Sequence, residues 1–404
     1  MKPHLFIAIP AMDELDFLPK TLDAIANQKT EYPFTVYVCV NQPDSWWDDP
    51  EKKDICLKNQ QLISYISSCT SFKIVVQDHA SKSKGWVGKN HGVGWARKCL
   101  FDEILSIAEP EDIIISLDAD TLFNENYFQS IGENFDRSNC YPVLSVPYYH
   151  PLTDDEATNK AMLRYELYMR FWFLNMHRIA SPYTFTAIGS GIAMKVHALR
   201  KIGGITPVKS GEDFYLMQKF RKMTSLNQWN SEAVYPAGRL SDRVFFGTGP
   251  ALIKGMQGNW NSYPIYHFSF FDPIAESYQS IEQLFHKDIS TPFLQFLQEQ
   301  FKDNNLWQPL RKNFKELPRF KRAFHEKADG LRILQFIKQE YDKHPLSDEV
   351  GLYENLKLFL PEKSFSFLNT SFTIDELTVD QLQEVRNALY QEEMEKRLLL
   401  SQLP

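Results

Sequence analysis

Apolar and polar positions along this chain fall into a repeating block pattern. Four times within about the first 135 residues, a short run of β-branched and aromatic residues gives way to a stretch whose apolar residues return at helical spacing. Leu5 to Ile9 precedes Leu15, Leu18, Leu22 and Ile25, and Phe34 to Val40 precedes Leu62, Ile63 and Ile66. Phe72 to Val76 precedes Val93, Ala96, Leu100 and Ile104, and Ile113 to Leu117 precedes Tyr127, Phe128 and Ile131. Strand–helix alternation of this kind predicts a mostly parallel sheet built from βαβ units and flanked by helices. Such a sheet presents Pro10, Asn41, Asp78 and Asp118 at the carboxyl ends of its strands, where open α/β sheets hold their ligands.

The pattern then loosens. Val143 to Tyr149 predicts another strand, and Asp154 to Arg178 a long helix whose Tyr165, Tyr168, Phe171, Trp172 and Phe173 form a core-facing stripe. Thr184 to Met194 is an apolar strand interrupted by Gly189-Ser190-Gly191, and glycine within a strand marks a close approach by backbone or ligand. Gly211-Glu212-Asp213 opens a helix carrying Leu216, Met217 and Phe220. From Pro273 the texture changes to charged helical segments separated by proline, among them Leu331 to Tyr341. A final helix is headed by Thr378-Val379-Asp380-Gln381, a capping-box pattern. The division expected is an α/β domain over 1–272 and an α-helical region over 273–404.

Composition narrows the partners. The chain has 404 residues, 43% of them hydrophobic, and a formal net charge of −7. That balance excludes a nucleic-acid protein whose affinity comes from neutralising phosphates. Five cysteines without a C-x-x-C spacing read as reduced thiols. No run is long and apolar enough for a secretory signal or a membrane span. The expected location is therefore cytoplasmic, with peripheral contact at the inner face of the membrane left open.

Asp118-Ala119-Asp120 is the first candidate for chemistry. Two carboxylates delivered together at a strand end repel unless a cation or proton lies between them, and Mg²⁺ or Mn²⁺ carrying phosphates suits one or two carboxylates. Capping of the following segment accounts for the same residues more simply. Between His79 and Phe101 stand Lys82, Lys84, Lys89, Arg97 and Lys98 without an acid, among Gly85, Gly88, Gly92 and Gly94. Lysines and glycines before a helix start favour phosphate. Asn41, Asp44 and Asp78 are placed to hydrogen-bond a base and ribose, or to serve as ordinary turn residues. Glu212-Asp213 either caps its helix or supplies a general base. Arg239 to Gly249, with Arg239 and Arg243, suits a segment closing over a diphosphate. His267 among aromatics is a further metal ligand or a structural histidine.

The order of these motifs is specific where each alone is not. Ile7-Ala8-Ile9-Pro10-Ala11-Met12-Asp13-Glu14, Val38-Cys39-Val40-Asn41, the glycine-rich basic loop, Asp118-Ala119-Asp120, Gly189-Ser190-Gly191 and Gly211-Glu212-Asp213 together resemble a family 2 glycosyltransferase of GT-A fold over about residues 3 to 270. The resemblance implies a Rossmann-like, mostly parallel mixed sheet and a hexosyltransferase using a nucleotide-diphosphate sugar. It implies a donor contact by Asp118, and together with the residue readings above the expected donor contacts are Pro10, Asp13, Asn41, Asp78, Lys84, Lys89, Asp118, Arg239 and Arg243. A divalent cation, Mn²⁺ or Mg²⁺, would lie at Asp118 and Asp120, with His267 as a third candidate ligand. Asp213, with Glu212 beside it, would act as base in an inverting transfer to a carbohydrate or lipid-linked acceptor. Val40-Asn41 departs from the Asp-Asp of many relatives, and the Q-x-x-R-W signature of processive synthases is missing. The same motifs also suit a nucleotide- or sugar-binding scaffold without turnover and, less closely, an aspartyl phosphatase, whose D-x-D-x-T-L lacks its spacer residue here.

Overall fold

The computed structural model describes residues 2–137, 140–240, 248–369 and 371–402. Two compact units emerge, and they do not follow chain order. The first comprises residues 1–162, 187–257 and 397–404, the second residues 163–186 and 258–396.

The first unit holds the sheet. In chain order its strands and helices run β1 (Leu5–Ala11), α1 (Leu18–Ala26), β2 (Phe34–Asn41), α2 (Lys53–Ser68), β3 (Ile74–His79), α3 (Val93–Ile107) and β4 (Ile113–Ser116). They continue with β5 (Thr121–Phe123), α4 (Tyr127–Asp136), β6 (Val143–Ser145), the start of α5 (Glu156–Arg178), β7 (Ile192–Lys195), α6 (Val196–Lys201), α7 (Glu212–Met223), β8 (Val234–Pro236) and α8 (Thr248–Met256). Six strands order as β3-β2-β1-β4-β7-β6, and β5 pairs with β8 in a separate ribbon. The first four strands of that order are parallel, as the block pattern predicts, while β7 runs antiparallel to both β4 and β6. β1 and β4 are buried along their whole length, which is why they read as unbroken apolar runs.

Several expected boundaries move. β3 begins and ends later than its apolar run, so Asp78 lies within the strand rather than beyond it. Of the Thr184–Met194 segment only the last three residues are strand, the start of β7, because Gly189-Ser190-Gly191 bends to meet α3. Pro10 sits in an interior strand without loss of a ladder bond. The Ala8 carbonyl accepts from the Leu117 amide (3.0 Å), and Pro10, two residues on, points the same way where β4 has already ended.

The second unit is helical. Beyond the body of α5 it contains α9 (Asp272–Gln279), α10 (Ile281–His286), α11 (Pro292–Phe301), α12 (Trp307–Asn313), α13 (Leu317–Lys327), α14 (Gly330–Lys343), α15 (Asp348–Phe359) and most of α16 (Val379–Ser401). Three of its prolines open helices instead of breaking them. Pro273, Pro292 and Pro318 stand in the first turns of α9, α11 and α13, where a missing N–H costs nothing. Side-chain caps at Thr291, Asp329 and Ser347 start α11, α14 and α15. The capping box at α16 forms in both directions: the Thr378 amide donates to Gln381 Oε1 (2.9 Å) and the Gln381 amide to Thr378 Oγ1 (3.2 Å).

The aromatic stripe of α5 is core, as expected, with Phe171 and Phe173 buried. A fully buried ion network accompanies it. Arg170 donates to Glu166 and to Glu393 Oε2 (2.7 Å), while Arg386 Nη1 donates to the second oxygen of Glu166 (3.1 Å). Buried charges of this kind are costly to separate. Glu166→Ala, which strips a shared carboxylate from two buried arginines, is expected to lower unfolding free energy by about 3–5 kcal/mol in denaturant titration.

Candidate functional site

The site grows from one turn of sequence at the end of β4. Ser116 closes the strand and Asp118 and Asp120 follow at the sheet's carboxyl edge, beside the end of β1. Asp118 keeps its side chain 35% exposed, whereas Asp120 is 15% exposed. Neither carboxylate stands alone. Arg97 donates to Asp118 Oδ1, and the Ser190 hydroxyl donates to Oδ2 at 2.7 Å. Arg239 Nε donates to Asp120 Oδ2 at 2.7 Å.

Arg97 joins the two acidic motifs. From α3 its buried guanidinium reaches Asp118, the Ser116 hydroxyl, the Gly189 carbonyl (3.2 Å) and Glu212 Oε1 (3.0 Å). Burial opposes the Arg97 charge, but Asp118, Glu212 and Asp213 together outweigh it and hold the proton more firmly than usual. Gly189 is required for this arrangement, since a Cβ there would overlap the guanidinium and approach Asp118 Oδ2 to 3.0 Å. A glycine inside the apolar Thr184–Met194 run therefore marks a close approach by a side chain of this protein.

Glu212 and Asp213 open α7. Gly211 takes φ +76°, a left-handed conformation natural to glycine, and turns the chain so that both acids occupy the first helical turn. Glu212 is buried against Arg97. Asp213 Oδ1 accepts from the Phe214 amide at 2.7 Å. Desolvation, followed by the Glu212 charge, pushes the Asp213 carboxyl up to about 7, while Arg97 and the Phe214 amide pull the other way. A carboxyl at that value exchanges protons near neutrality.

Arg239 gathers a second cluster. Its Nη2 donates to Glu14 Oε1 at 2.5 Å as its Nε holds Asp120, and the guanidinium lies 4.1 Å from the Phe17 ring centroid. Burial weakens the Arg239 charge, but Asp120 and Glu14 raise its proton affinity overall.

The basic loop folds onto β2. Asp44 Oδ1 accepts from the Ser83 amide (2.7 Å) and the Gly85 amide (3.3 Å), and Trp86 stacks on His79 with centroids 4.2 Å apart. Asp78 is the loop's anchor. Its two oxygens accept from the amides of Ala80 and Ser81, the Ser81 hydroxyl and Lys84 Nζ, at 2.6 to 3.1 Å. Burial alone would lift this carboxyl, yet the Ser81 groups, Lys84 and the Ala80 amide hold it down at about 2. Asn41 is likewise engaged, donating to the Ala11 carbonyl (3.0 Å) and accepting from Trp86 Nε1 (3.3 Å). Asp13 takes φ +57° and its amide donates to Asn59. Lys89 is exposed.

The structure thus brings Asp118, Asp120, Glu212, Asp213 and Arg239 into two linked ion clusters of the first unit. It ties Lys84 to Asp78 and sets Asn41 beside Trp86. His267 belongs to the second unit, where its Nδ1 accepts from the Ser269 amide (3.2 Å) and caps the turn Phe268–Phe271. Arg243 lies outside the described residues. Arg97, Glu14 and Ser190 carry contacts that their motifs alone do not assign to them. Arg97 had a signal: it lies four residues after Val93 and three before Leu100, a charge on the buried face of α3.

Among the described residues, no group of three or more His, Cys, Asp or Glu side chains is arranged to enclose a metal, and no helix is long and apolar enough to cross a membrane. The carboxylates that the sequence offers for a metal are the Asp118 and Asp120 pair. It fits a hard divalent ion that completes its shell with phosphate oxygens and water, and a guanidinium already bridges Asp120 to Glu14 as a cation would.

No protein-family model and no curated protein matches this chain. Among solved structures, residues 1–349 of S. aureus TarS in complex with UDP-GlcNAc match with 12% identity and a TM-score of 0.44, covering 99% of this chain and 90% of that one. Mannosyltransferase PcManGT from Pyrobaculum calidifontis, in complex with GDP-Man and Mn²⁺, matches with 14% identity and a TM-score of 0.38, covering 98% and 88%. At such identities and scores the chemistry rests on this chain's own residues.

The Asp213 carboxyl sets a pH dependence. Its folded value of about 7 exceeds the ordinary aspartate value of 3.8, so the native state binds more protons between those limits and stability falls as pH rises through them. In Asp213→Asn that contribution vanishes. Denaturant unfolding at pH 4.5 and 7.5 is expected to show the variant gaining on the wild type as pH rises; parallel curves would contradict the assignment.

Proposed function

We propose that this chain is a glycosyltransferase that moves a sugar from a nucleotide-diphosphate donor to an acceptor hydroxyl with inversion at the anomeric carbon. The observation that carries this reading is the Arg97 bridge. It ties Asp118 of the Asp118-x-Asp120 motif to Glu212 of the Glu212-Asp213 pair at the carboxyl edge of an open α/β sheet.

The residues divide the work. Asp118 and Asp120 would hold a divalent cation, Mn²⁺ or Mg²⁺, which when bound would neutralise the departing diphosphate. Lys89, the amides of the 79–92 loop and Arg239 supply positive potential for the diphosphate, with Arg243 as a further candidate in the same stretch of sequence. Asn41 and Trp86, packed together at the end of β2, border the space for the nucleoside, and Pro10 and Asp13 border it from β1. Asp78 acts indirectly, by fixing the loop that carries Lys84. Asp213 takes the proton of the acceptor hydroxyl. The acceptor oxygen bonds the anomeric carbon from one face while the carbon–oxygen bond to phosphate breaks on the other, and the electron pair leaves with the nucleoside diphosphate. A carboxyl poised near 7 is matched to that duty, since general bases work best near the operating pH.

Thermal unfolding against UDP, GDP, dTDP and CDP, with and without Mn²⁺, tests the donor site. At a hundredfold over Kd, the right nucleotide stabilises the fold by about 2.7 kcal/mol, and Asp120→Ala is expected to abolish the metal-dependent part. Asp213→Asn is expected to retain nucleotide binding and lose roughly 10²- to 10⁴-fold in turnover. Binding without any donor hydrolysis or transfer by the wild type would favour the scaffold reading.

A further inference from the structure

Arg239 occupies a position that the proposed chemistry needs for something else. Its guanidinium fills the gap between Asp120 and Glu14, two carboxylates that follow the neighbouring strands β4 and β1, and Phe17 covers one face of it. Asp120 is also one of the two carboxylates suited to a hard divalent ion. One carboxylate cannot place its charge fully on two cations at close range, because the cations repel each other at the same contact. The guanidinium is planar, partly covered and bonded to two carboxylates at once, so it is a real competitor and not a solvated surface charge. Its side chain is 19% exposed, against 7% for Glu14 and 15% for Asp120.

We propose that Arg239 is the resident cation of the Asp120–Glu14 pair and that a divalent metal enters the site by displacing it. This inference rests on the donor-site reading above and adds to it a coupling: metal entry and release of Arg239 are one event. The released guanidinium then becomes available to an anionic ligand, so the Arg239 share of the positive charge for a diphosphate appears once the metal has bound. Before that, the protein's own side chain offsets part of the charge of the two carboxylates. Arg97 does not share this role, since its buried guanidinium is held by Asp118, Glu212, Ser116 and Gly189 together.

The experiment measures Mn²⁺ binding to the full chain without nucleotide, by loss of the free-ion electron paramagnetic resonance signal. Arg239→Gln is expected to bind Mn²⁺ at least about tenfold more tightly than the wild type. Phe17→Leu, which loosens the aromatic cover and leaves every carboxylate in place, is expected to tighten binding about two- to threefold. Asp120→Asn in the Arg239→Gln background is expected to remove the gain. Unchanged or weaker binding in both Arg239→Gln and Phe17→Leu would overturn the proposal, because an arginine that merely orients Asp120 for metal would weaken binding when lost. Absence of Mn²⁺ binding in every form would overturn it as well. Nucleotide-induced stabilisation of the wild type, read separately, distinguishes failure of this coupling from failure of the donor site itself.

Discussion

A single buried guanidinium organises the candidate site. Arg97 lies at the meeting point of α3, the end of β4, the Gly189 turn and the start of α7, and the groups that satisfy it come from the last three of these. A buried charge is tolerable only when it is paired and hydrogen-bonded, and this constraint fixes its neighbours. Ser116 and Asp118 must leave β4 as they do, Gly189 must lack a side chain, and Glu212 must begin its helix facing inward. Asp213 then inherits an environment rich in negative charge and poor in water, which is what lifts its carboxyl toward neutrality. Burial, together with the Glu212 and Asp118 carboxylates that satisfy the arginine, thus raises the proton affinity of Asp213.

The legible parts of the fold were those governed by short-range periodicity. β1, β2 and β4 read as apolar runs because they are buried on both faces, and their parallel pairing followed from the helices between them. Asp118, Asp120, Glu212 and Asp213 were visible as acids at element ends. What joins them was not, because Arg97 and Gly189 are brought together across 92 positions of sequence. A charged residue on the apolar face of α3 was the available signal, obscured by the basic residues around it. Asp78 shows the converse: its position suggested a ligand contact, while its hydrogen bonds show a carboxylate occupied in holding a loop. Local pattern reports where a polar group stands, and only the folded chain reports which groups satisfy it.

The division into two units follows a similar logic. A boundary drawn where composition changes falls near Pro273, yet the second unit also takes residues 163–186, the aromatic body of α5. The stripe of Tyr165, Tyr168, Phe171, Trp172 and Phe173 needs apolar partners, and Tyr263, Tyr266, Phe271 and Phe359 provide ring contacts for it. Glu166 and Arg170 on the same helix need ionic partners, and Arg386 and Glu393 of α16 supply them. Sequence texture could not show that a helix preceding the Glu212-Asp213 motif belongs to the later helical body.

Arg97 makes one site out of two acidic motifs, and a double-mutant cycle between Asp118→Asn and Glu212→Gln tests this most directly. The quantity to read is affinity for whichever nucleoside diphosphate stabilises the wild type. Coupling through the shared guanidinium predicts non-additive losses, with an interaction free energy of about 0.5–3 kcal/mol. Losses that simply add, within about 0.3–0.5 kcal/mol, would show two independent carboxylates and contradict a shared site.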